Sequence, residues 1–395
     1  MRRVVLLLLL VTVLVASCHA QRHEEIEDLC TSFFTSMLTP RCYGPCPERK
    51  MGIEQMHQFL EKHIFGQEYA LNITTSAIEH MTMDAPLVLH FAGDNGAGKT
   101  YTSKLIGEVL FSVKDARSGL YKGVLQFRGN QFTLNANTQE LYPEKVEEFK
   151  SDIRRRVVRQ LNRCPRSLIV FDEAELPSPE VMQVFEELID GDHIEFESIT
   201  ASSNEAIFIF ISDFGMEGIT EGMTMDEVVE RISQDMRNVW MYGKQETMVT
   251  HVVPFNNMYS STSTRTPEAV VLQVYSFIRY LPESLPIKLQ KSGISIGRLM
   301  LYIPGRDKCE TEEEDHYEAI QMIADFIYEE VSSSETYRHR NYRGIKQYFN
   351  LHVLPHISMA FEEKHANKHM PVARVGINIE KTDQGIRSFT VISAV

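Results

Sequence analysis

The sequence predicts an α/β fold: a parallel sheet flanked by helices and carrying a phosphate-binding loop, followed by a small C-terminal α-helical domain. Three observations predict it. Apolar runs at 87–92, 167–171 and 206–212 read as strands buried on both faces of a parallel sheet. Helix-like segments separate these runs. The first run leads straight into Gly93-Asp94-Asn95-Gly96-Ala97-Gly98-Lys99-Thr100, of the form G-x-x-x-x-G-K-[ST], and a helix-like segment follows at 101–110.

The loop has a physical reading. A nucleoside triphosphate brings several negative charges close to the backbone, so amide N–H groups must be reachable without Cβ atoms in the way. Gly93, Gly96 and Gly98 permit that approach. Lys99 reaches the β- and γ-phosphates, Thr100 Oγ1 ligates Mg²⁺, and the helix N-terminus adds partial positive charge. The implied ligand is ATP with Mg²⁺. A second half of the site follows from the run 167–171, which ends in Asp172-Glu173. Acids at the carboxyl end of a buried parallel strand lie where doubly wound sheets bind ligands. Asp172 is the candidate metal carboxylate, and Glu173 the residue that orients and polarises the attacking water.

The remaining elements are read in order. Ile53, Met56, Phe59, Leu60 and Ile64 recur at helical spacing, and Phe65-Gly66-Gln67 ends that helix. A second helix is expected at 68–83. A weaker strand is expected at 122–127 and another at 276–281. The segment 180–189 reads as a helix with Ser178 as N-cap, Pro179 in the first turn and Gly191 beyond its end. Past Pro286 the pattern turns helical: Ile320, Ile323, Ala324, Ile327 and Tyr328 form one stripe, and a further helix begins near Gly344. The last forty or so residues show no clear period apart from a strand signal at 389–392. The expected organisation is a leader at 1–20, an irregular Cys-containing lead-in at 21–50, a nucleotide-binding α/β domain at 51–286, a small helical domain at 287–360 and a tail at 361–395.

Composition narrows the class. The chain has 395 residues and 43% hydrophobic content, enough for a sizeable core. Its 40 basic and 54 acidic side chains give a net charge of −14, which excludes general nucleic-acid binding for lack of a basic footprint. The acidic run at 310–315 reads as a solvated loop. At the N-terminus, Met-Arg-Arg precedes an apolar run and then Ser-Cys-His-Ala20, the layout of a cleavable signal peptide. Cleavage after Ala20 removes Arg2 and Arg3, taking the charge from −14 to −16. No later stretch is long and apolar enough to span a bilayer. The expected product is a soluble protein of the secretory pathway. Cys30, Cys42, Cys46, Cys164 and Cys309 remain after cleavage, and disulfide bonding in an oxidising compartment is their expected use. Asn72-Ile-Thr74 is a glycosylation sequon within a predicted helix.

Taken together, the leader, Phe65-Gly66-Gln67, the loop at 93–100, Asp172-Glu173, Gly243-Lys244-Gln245, Phe255-Asn256-Asn257 and Arg343-Gly344-Ile345-Lys346 resemble the torsins in kind and order. Torsins are AAA+ ATPases of the endoplasmic-reticulum and nuclear-envelope lumen, similar to Clp-type unfoldases. The resemblance runs over roughly residues 45–355 and implies an AAA+ fold and a homo- or hetero-oligomeric ring. It places Phe65–Gln67 near the adenine and makes Lys346 a sensor-2 lysine acting on the phosphates. It puts Asp213 at sensor 1, where torsins carry Asn, so a carboxylate adds like charge there. Cys164 corresponds to a torsin cysteine bonded to an N-terminal one, here Cys46 or Cys42. Thr100 replaces the usual torsin Asn, and Ile345 replaces the cysteine of sensor 2, so redox sensing through that cysteine is not expected.

Segment 268–276, where Clp-like relatives carry an arginine finger, contains neither Arg nor Lys. The resemblance therefore implies lumenal domains of membrane-anchored activators as partners that supply the arginine, and slow hydrolysis without them. A nucleotide-gated binding protein with little hydrolysis is the alternative, favoured by Asp213. A peptide translocase ranks lower: in the candidate pore loop at 128–144, Phe132 and Tyr142 are the only aromatics and no aromatic-glycine grip is present.

Overall fold

The computed structural model describes residues 46, 48, 52–116, 118–133, 142–189, 193–215, 223–240, 248–256, 266–281, 294–304, 311–338, 340–365, 369–381 and 387–394. The leader, Cys30, Cys42, Cys309, Gly191, Gly243-Lys244-Gln245 and Asn257 lie outside these residues. Among the described residues no helix is long and apolar enough to cross a membrane.

The first unit begins with α1 (Ile53–Glu61) and α2 (Glu68–Glu79), then β1 (Leu87–Gly93), α3 (Lys99–Leu110), β2 (Val124–Arg128) and α4 (Tyr142–Arg163). It continues through β3 (Leu168–Asp172), α5 (Pro179–Met182), α6 (Val184–Ile189), β4 (Ile194–Phe196), β5 (Ile199–Ala201), β6 (Ile207–Ser212), α7 (Met225–Trp240) and β7 (His251–Phe255). Five strands form one parallel sheet in the order β2-β3-β6-β1-β7. This mixed α/β architecture is consistent with an AAA+ P-loop domain.

Alternation along each strand sorts the core into two layers. Leu87, Leu89, Phe91, Val170, Ile209 and Ile211 face one side and pack with α1, α2 and α3. Val88, Ala92, Ile169, Phe171, Phe208 and Phe210 face the other and pack with α4, α6 and α7. Each fully buried large side chain contributes about 1.5–3 kcal/mol against exposure. Phe127, Phe132, Phe171, Phe185 and Phe210 form a connected ring cluster on that second face. The expected helix at 180–189 is interrupted at Gln183, giving α5 and α6.

A second unit follows: α8 (Thr266–Tyr280), β8 (Ser295–Tyr302), α9 (Glu312–Ser333), α10 (Glu335–Arg338), α11 (Asn341–Tyr348), a π-turn at Phe349–Val353, α12 (Leu354–His365), β9 (His369–Lys381) and β10 (Arg387–Ala394). Three sequence expectations change here. The strand expected at 276–281 is the end of α8, because Val270, Val274, Ile278 and Leu281 are buried at helical spacing; the fifth sheet strand is β7. The acidic run is largely not a loop. Glu312–Asp315 form the first turn of α9, where the helix dipole favours them, and Thr311 and Glu314 close a capping box.

Residues 361–395 are not a separate tail. β8 and β9 pair in parallel and β9 and β10 antiparallel, so the helical unit carries a three-stranded sheet as well. Ala373, Val375, Ile377 and Phe389 are buried with Ile320, Ile323 and Phe326 of α9. The strands are held by burial that a local pattern search does not register.

Phe389 stacks with Phe326 and meets His356 edge-on. Phe389→Ala should lower the unfolding free energy by about 3 kcal/mol through the cavity left in this core. Urea unfolding checks it; an unmoved midpoint would mean that the C-terminal hairpin is not part of the cooperative core.

Candidate functional site

Neighbouring strands bring the chemistry together. β3, β6 and β1 are adjacent and parallel, so their carboxyl ends share one edge of the sheet. Asp172 ends β3, Asp213 follows Ser212 at the end of β6, and the loop 93–100 leaves β1. This edge is the usual ligand position in open α/β sheets. Lys99, Thr100, Asp172, Glu173 and Asp213, separated in sequence, all line one cleft of about 1170 Å³.

The loop takes the backbone form its glycines allow. Gly93, Gly96 and Gly98 have φ of 133°, 81° and 105°. A Cβ on Gly96 would lie 2.1 Å from the carbonyl oxygen of Arg340, so this position requires glycine because α11 approaches it. Lys99 is only 6% exposed. Its Nζ donates to Gly93 O at 2.5 Å, Asp94 O at 2.8 Å and Asp213 Oδ1 at 3.0 Å. Asn95 Nδ2 donates to the other oxygen of Asp213 at 2.8 Å. Gly93 and Asp94 therefore lie beneath the cleft, contributing carbonyls to Lys99, while Asn95, Gly96, Ala97, Gly98, Lys99 and Thr100 line it.

The acidic side is built by a strained turn. Thr100 Oγ1 is 3.2 Å from both Asp172 oxygens. Burial raises the Asp172 pKa, and the Thr100 hydrogen bond opposes that rise. Glu173 has φ of 60°, a left-handed conformation costly for a residue with a side chain. Its carbonyl oxygen would lie 1.9 Å from a Cβ on Gly129, so a glycine after β2 is what admits the turn. Glu173 Oε2 is buried without a hydrogen-bond partner. Glu175, which the motif reading did not single out, also lines the cleft with a buried, unpartnered Oε2. Burial, followed by the nearby Asp213 charge, pushes its pKa up to about 7. Its position three residues after Asp172 was the only signal available.

The second unit forms the far wall. Ser276, Phe277, Tyr342, Arg343, Lys346 and Phe349 line it, with Phe65 of the first unit packed beside them. Lys346 and Arg343 are solvent-exposed on α11, three residues apart, so both cations share the face towards the loop. Ile345 is fully buried in the second core. Phe65 lies on the wall, but Gly66 and Gln67 do not. Gln67 is 1% exposed and is used in bonds to Ala97 O, Asn256 O and Asn256 N. This corrects the expectation of Gln67 at the nucleotide: it ties the loop to the end of β7. Gly66 is held against Tyr342, whose hydroxyl would lie 2.2 Å from a Cβ there.

His90, on β1 below the cleft, is fully buried. Its Nε2 lies 2.7 Å from Ser212 Oγ and its Nδ1 2.9 Å from Met236 Sδ. Ser212 Oγ also accepts from Phe214 N at 3.3 Å, so these contacts brace the turn that presents Asp213. An apolar strand pattern gave no reason to select His90.

The residues present fit a magnesium nucleotide. Thr100 Oγ1 and the Asp172 carboxylate are hard oxygen donors side by side. A Cβ at Gly98 would meet nothing within 4 Å, leaving the loop open towards the cleft. The unpartnered Glu173 Oε2 is an acceptor for water. Elsewhere, Cys46 and Cys164 form a disulfide with a Cα–Cα distance of 5.5 Å, tying residue 46 to the end of α4. Asn72 is exposed on α2, whereas Thr74 of its sequon is buried and bonds Ala70 O.

Comparison with known proteins agrees with this geometry. Residues 41–171 match the family model described as Torsin, ending one residue before Asp172. Mitochondrial disaggregase of Rattus norvegicus is 26% identical over 185 residues, covering 44% of this chain and 26% of the relative. The Bos taurus and Homo sapiens proteins of that name are each 25% identical over 185 residues, 44% of this chain, and are covered to 26% and 25%. The match thus spans about a quarter of those relatives' length. The torsin resemblance holds for the stretch carrying the phosphate loop, within an AAA+ domain.

Opposed titrations follow from the burial. Folding lowers the His90 pKa from 6.5 to about 3, so its stability contribution is complete above 6.5 and lost as pH falls through about 3. The limiting slope is about 1.4 kcal/mol per pH unit. Folding raises Glu175 from 4.5 to about 7, so its contribution is present below 4.5 and lost as pH rises through about 7. Urea midpoints across the acid-to-neutral range should lose the first trend in His90→Leu and the second in Glu175→Gln. A profile identical to wild type in either variant would contradict that assignment.

Proposed function

We propose that this chain binds ATP with Mg²⁺ and hydrolyses it slowly to remodel protein partners in the lumen of the endoplasmic reticulum and nuclear envelope. The observation that carries this reading is the convergence of Lys99, Thr100, Asp172 and Glu173 on one cleft at the carboxyl edge of a parallel sheet. Lys99 and the loop amides hold the phosphate chain, and Thr100 with Asp172 holds the metal. Bound there, Mg²⁺ neutralises charge on the phosphates. Glu173, strained and with a free acceptor oxygen, orients a water and draws on its proton. Lys346 and Arg343 supply cations from the second unit, so closure of the cleft strengthens the hold on phosphate.

Slow turnover follows from what the segment 268–276 of α8 lacks. A trans-acting arginine is worth roughly 10³–10⁵ in rate, and residues 268–276 hold no basic side chain. The lumenal domain of a membrane-anchored activator supplies that arginine in this reading, with the chain in a ring beside it. The lumen is supported by the leader pattern and by the Cys46–Cys164 disulfide, which needs an oxidising compartment. Remodelling agrees with the name disaggregase borne by the relatives. Processive threading ranks below it, since Phe132 is buried in the core and Tyr142 donates to Glu180 at 2.9 Å.

A nucleotide-gated binding protein is the second reading, favoured by Asp213 standing 3.0 Å from the Lys99 ammonium. Hydrolysis with activator separates the two. Glu173→Gln should slow activated turnover by roughly 10²-fold or more while keeping ATP binding. Lys99→Ala should abolish binding in calorimetry. Equal, activator-insensitive turnover of wild type and Glu173→Gln would remove the enzyme reading.

A further inference from the structure

The geometry points to Asp213 as a selectivity residue that sets the site against the triphosphate and in favour of the diphosphate. This rests on the reading of the cleft as a nucleotide site and concerns which nucleotide it holds best. Three contacts carry it. Asp213 Oδ1 is 3.0 Å from Lys99 Nζ, the group that must neutralise the β- and γ-phosphates. Its other oxygen accepts from Asn95 Nδ2 at 2.8 Å, so the carboxylate is fixed by two donors of the phosphate loop. Asn95 in turn offers its carbonyl to Asn341 Nδ2 at 2.9 Å, linking this clamp to the first residue of α11.

Lys99 thus has an intramolecular anion. A phosphate chain reaching the ammonium must share it with Asp213 or displace Asp213, which also gives up the Asn95 bond. The cost is unequal between nucleotides. The loop amides would cradle the inner phosphates, and a metal held by Thr100 and Asp172 would bridge the second to the third. The third phosphate would then extend towards the Asp172 side of the cleft that Asp213 also lines and meet like charge that a diphosphate leaves further away. A neutral amide at the same position would accept from Lys99 without opposing that third phosphate. Asp213 has 30% of its side chain accessible to solvent, so the repulsion is weakened by solvent but not removed.

The same clamp connects nucleotide to shape. The loop conformation at Asn95 and Gly96 is held by Asn341 Nδ2 on one and by the carbonyl of Arg340 against the other. Freeing Asp213 from Asn95 alters the loop that α11 rests on. A triphosphate that wins Lys99 therefore acts on the junction of the two units as well.

The test is calorimetry of full-length protein with Mg²⁺ and either ADP or the non-hydrolysable triphosphate adenylyl imidodiphosphate. Wild type, Asp213→Asn and Asp213→Ser are compared after their thermal midpoints establish that each is folded. Both variants should bind the triphosphate roughly tenfold more tightly, with a smaller gain for ADP, as expected for removing one partly screened like charge. An unchanged triphosphate-to-diphosphate ratio, with binding intact, would overturn the selectivity role and leave the nucleotide site standing. Absence of heat with both nucleotides in all three proteins would overturn the site itself.

Discussion

One buried ammonium organises the centre of this molecule. Lys99 is nearly inaccessible to water, and an ammonium so placed is costly unless every proton is bonded and the charge is opposed. Two of its acceptors are carbonyls at the end of β1, and the third is a carboxylate at the end of β6. Those groups meet because β1 and β6 are neighbours in register, Ala92 opposite Ser212. The order of strands and the satisfaction of one charge are thus the same requirement. His90 strengthens the arrangement from beneath, fixing Ser212 just before the carboxylate.

The second unit is joined to this centre by backbone, not by large apolar surfaces alone. Gly96 meets the carbonyl of Arg340, Gly66 meets Tyr342, and Asn341 bonds Asn95. Glycine at both contacts lets main chain approach main chain or ring within a distance that any side chain would block. The phosphate loop and the position of α11 are therefore mutually dependent. Motion of one unit is felt where phosphates would lie, and the reverse holds equally.

Much of this was legible because the informative signals were local. Glycine spacing, a lysine, a threonine and acids after an apolar run lie within short windows, and a continuous buried strand is easily recognised. Boundaries at 87–92, 167–171 and 206–212 each differ by about one residue from β1, β3 and β6. What escaped reading depended on distant pairing. The short stretch Phe277, Ile278, Tyr280 and Leu281 made 276–281 look extended, although the burial of Val270, Val274 and Ile278 follows a helical turn. Gln67 looked like a ligand contact because the motif cannot say that β7 lies beside it. Glu175, Asn341 and His90 carry no pattern of their own, and their importance comes only from what the fold places against them.

The pairing of β8 with β9 has a consequence for how the polypeptide matures. These strands run parallel, yet α9, α10, α11 and α12 all intervene in the chain. The backbone edge of β8 therefore has no β9 to pair with until four helices have been synthesised. During that interval the newborn strand presents unpaired backbone groups, the kind of edge that recruits neighbours. The connection between these two strands, and not either strand alone, thus sets how long that edge stays open during synthesis.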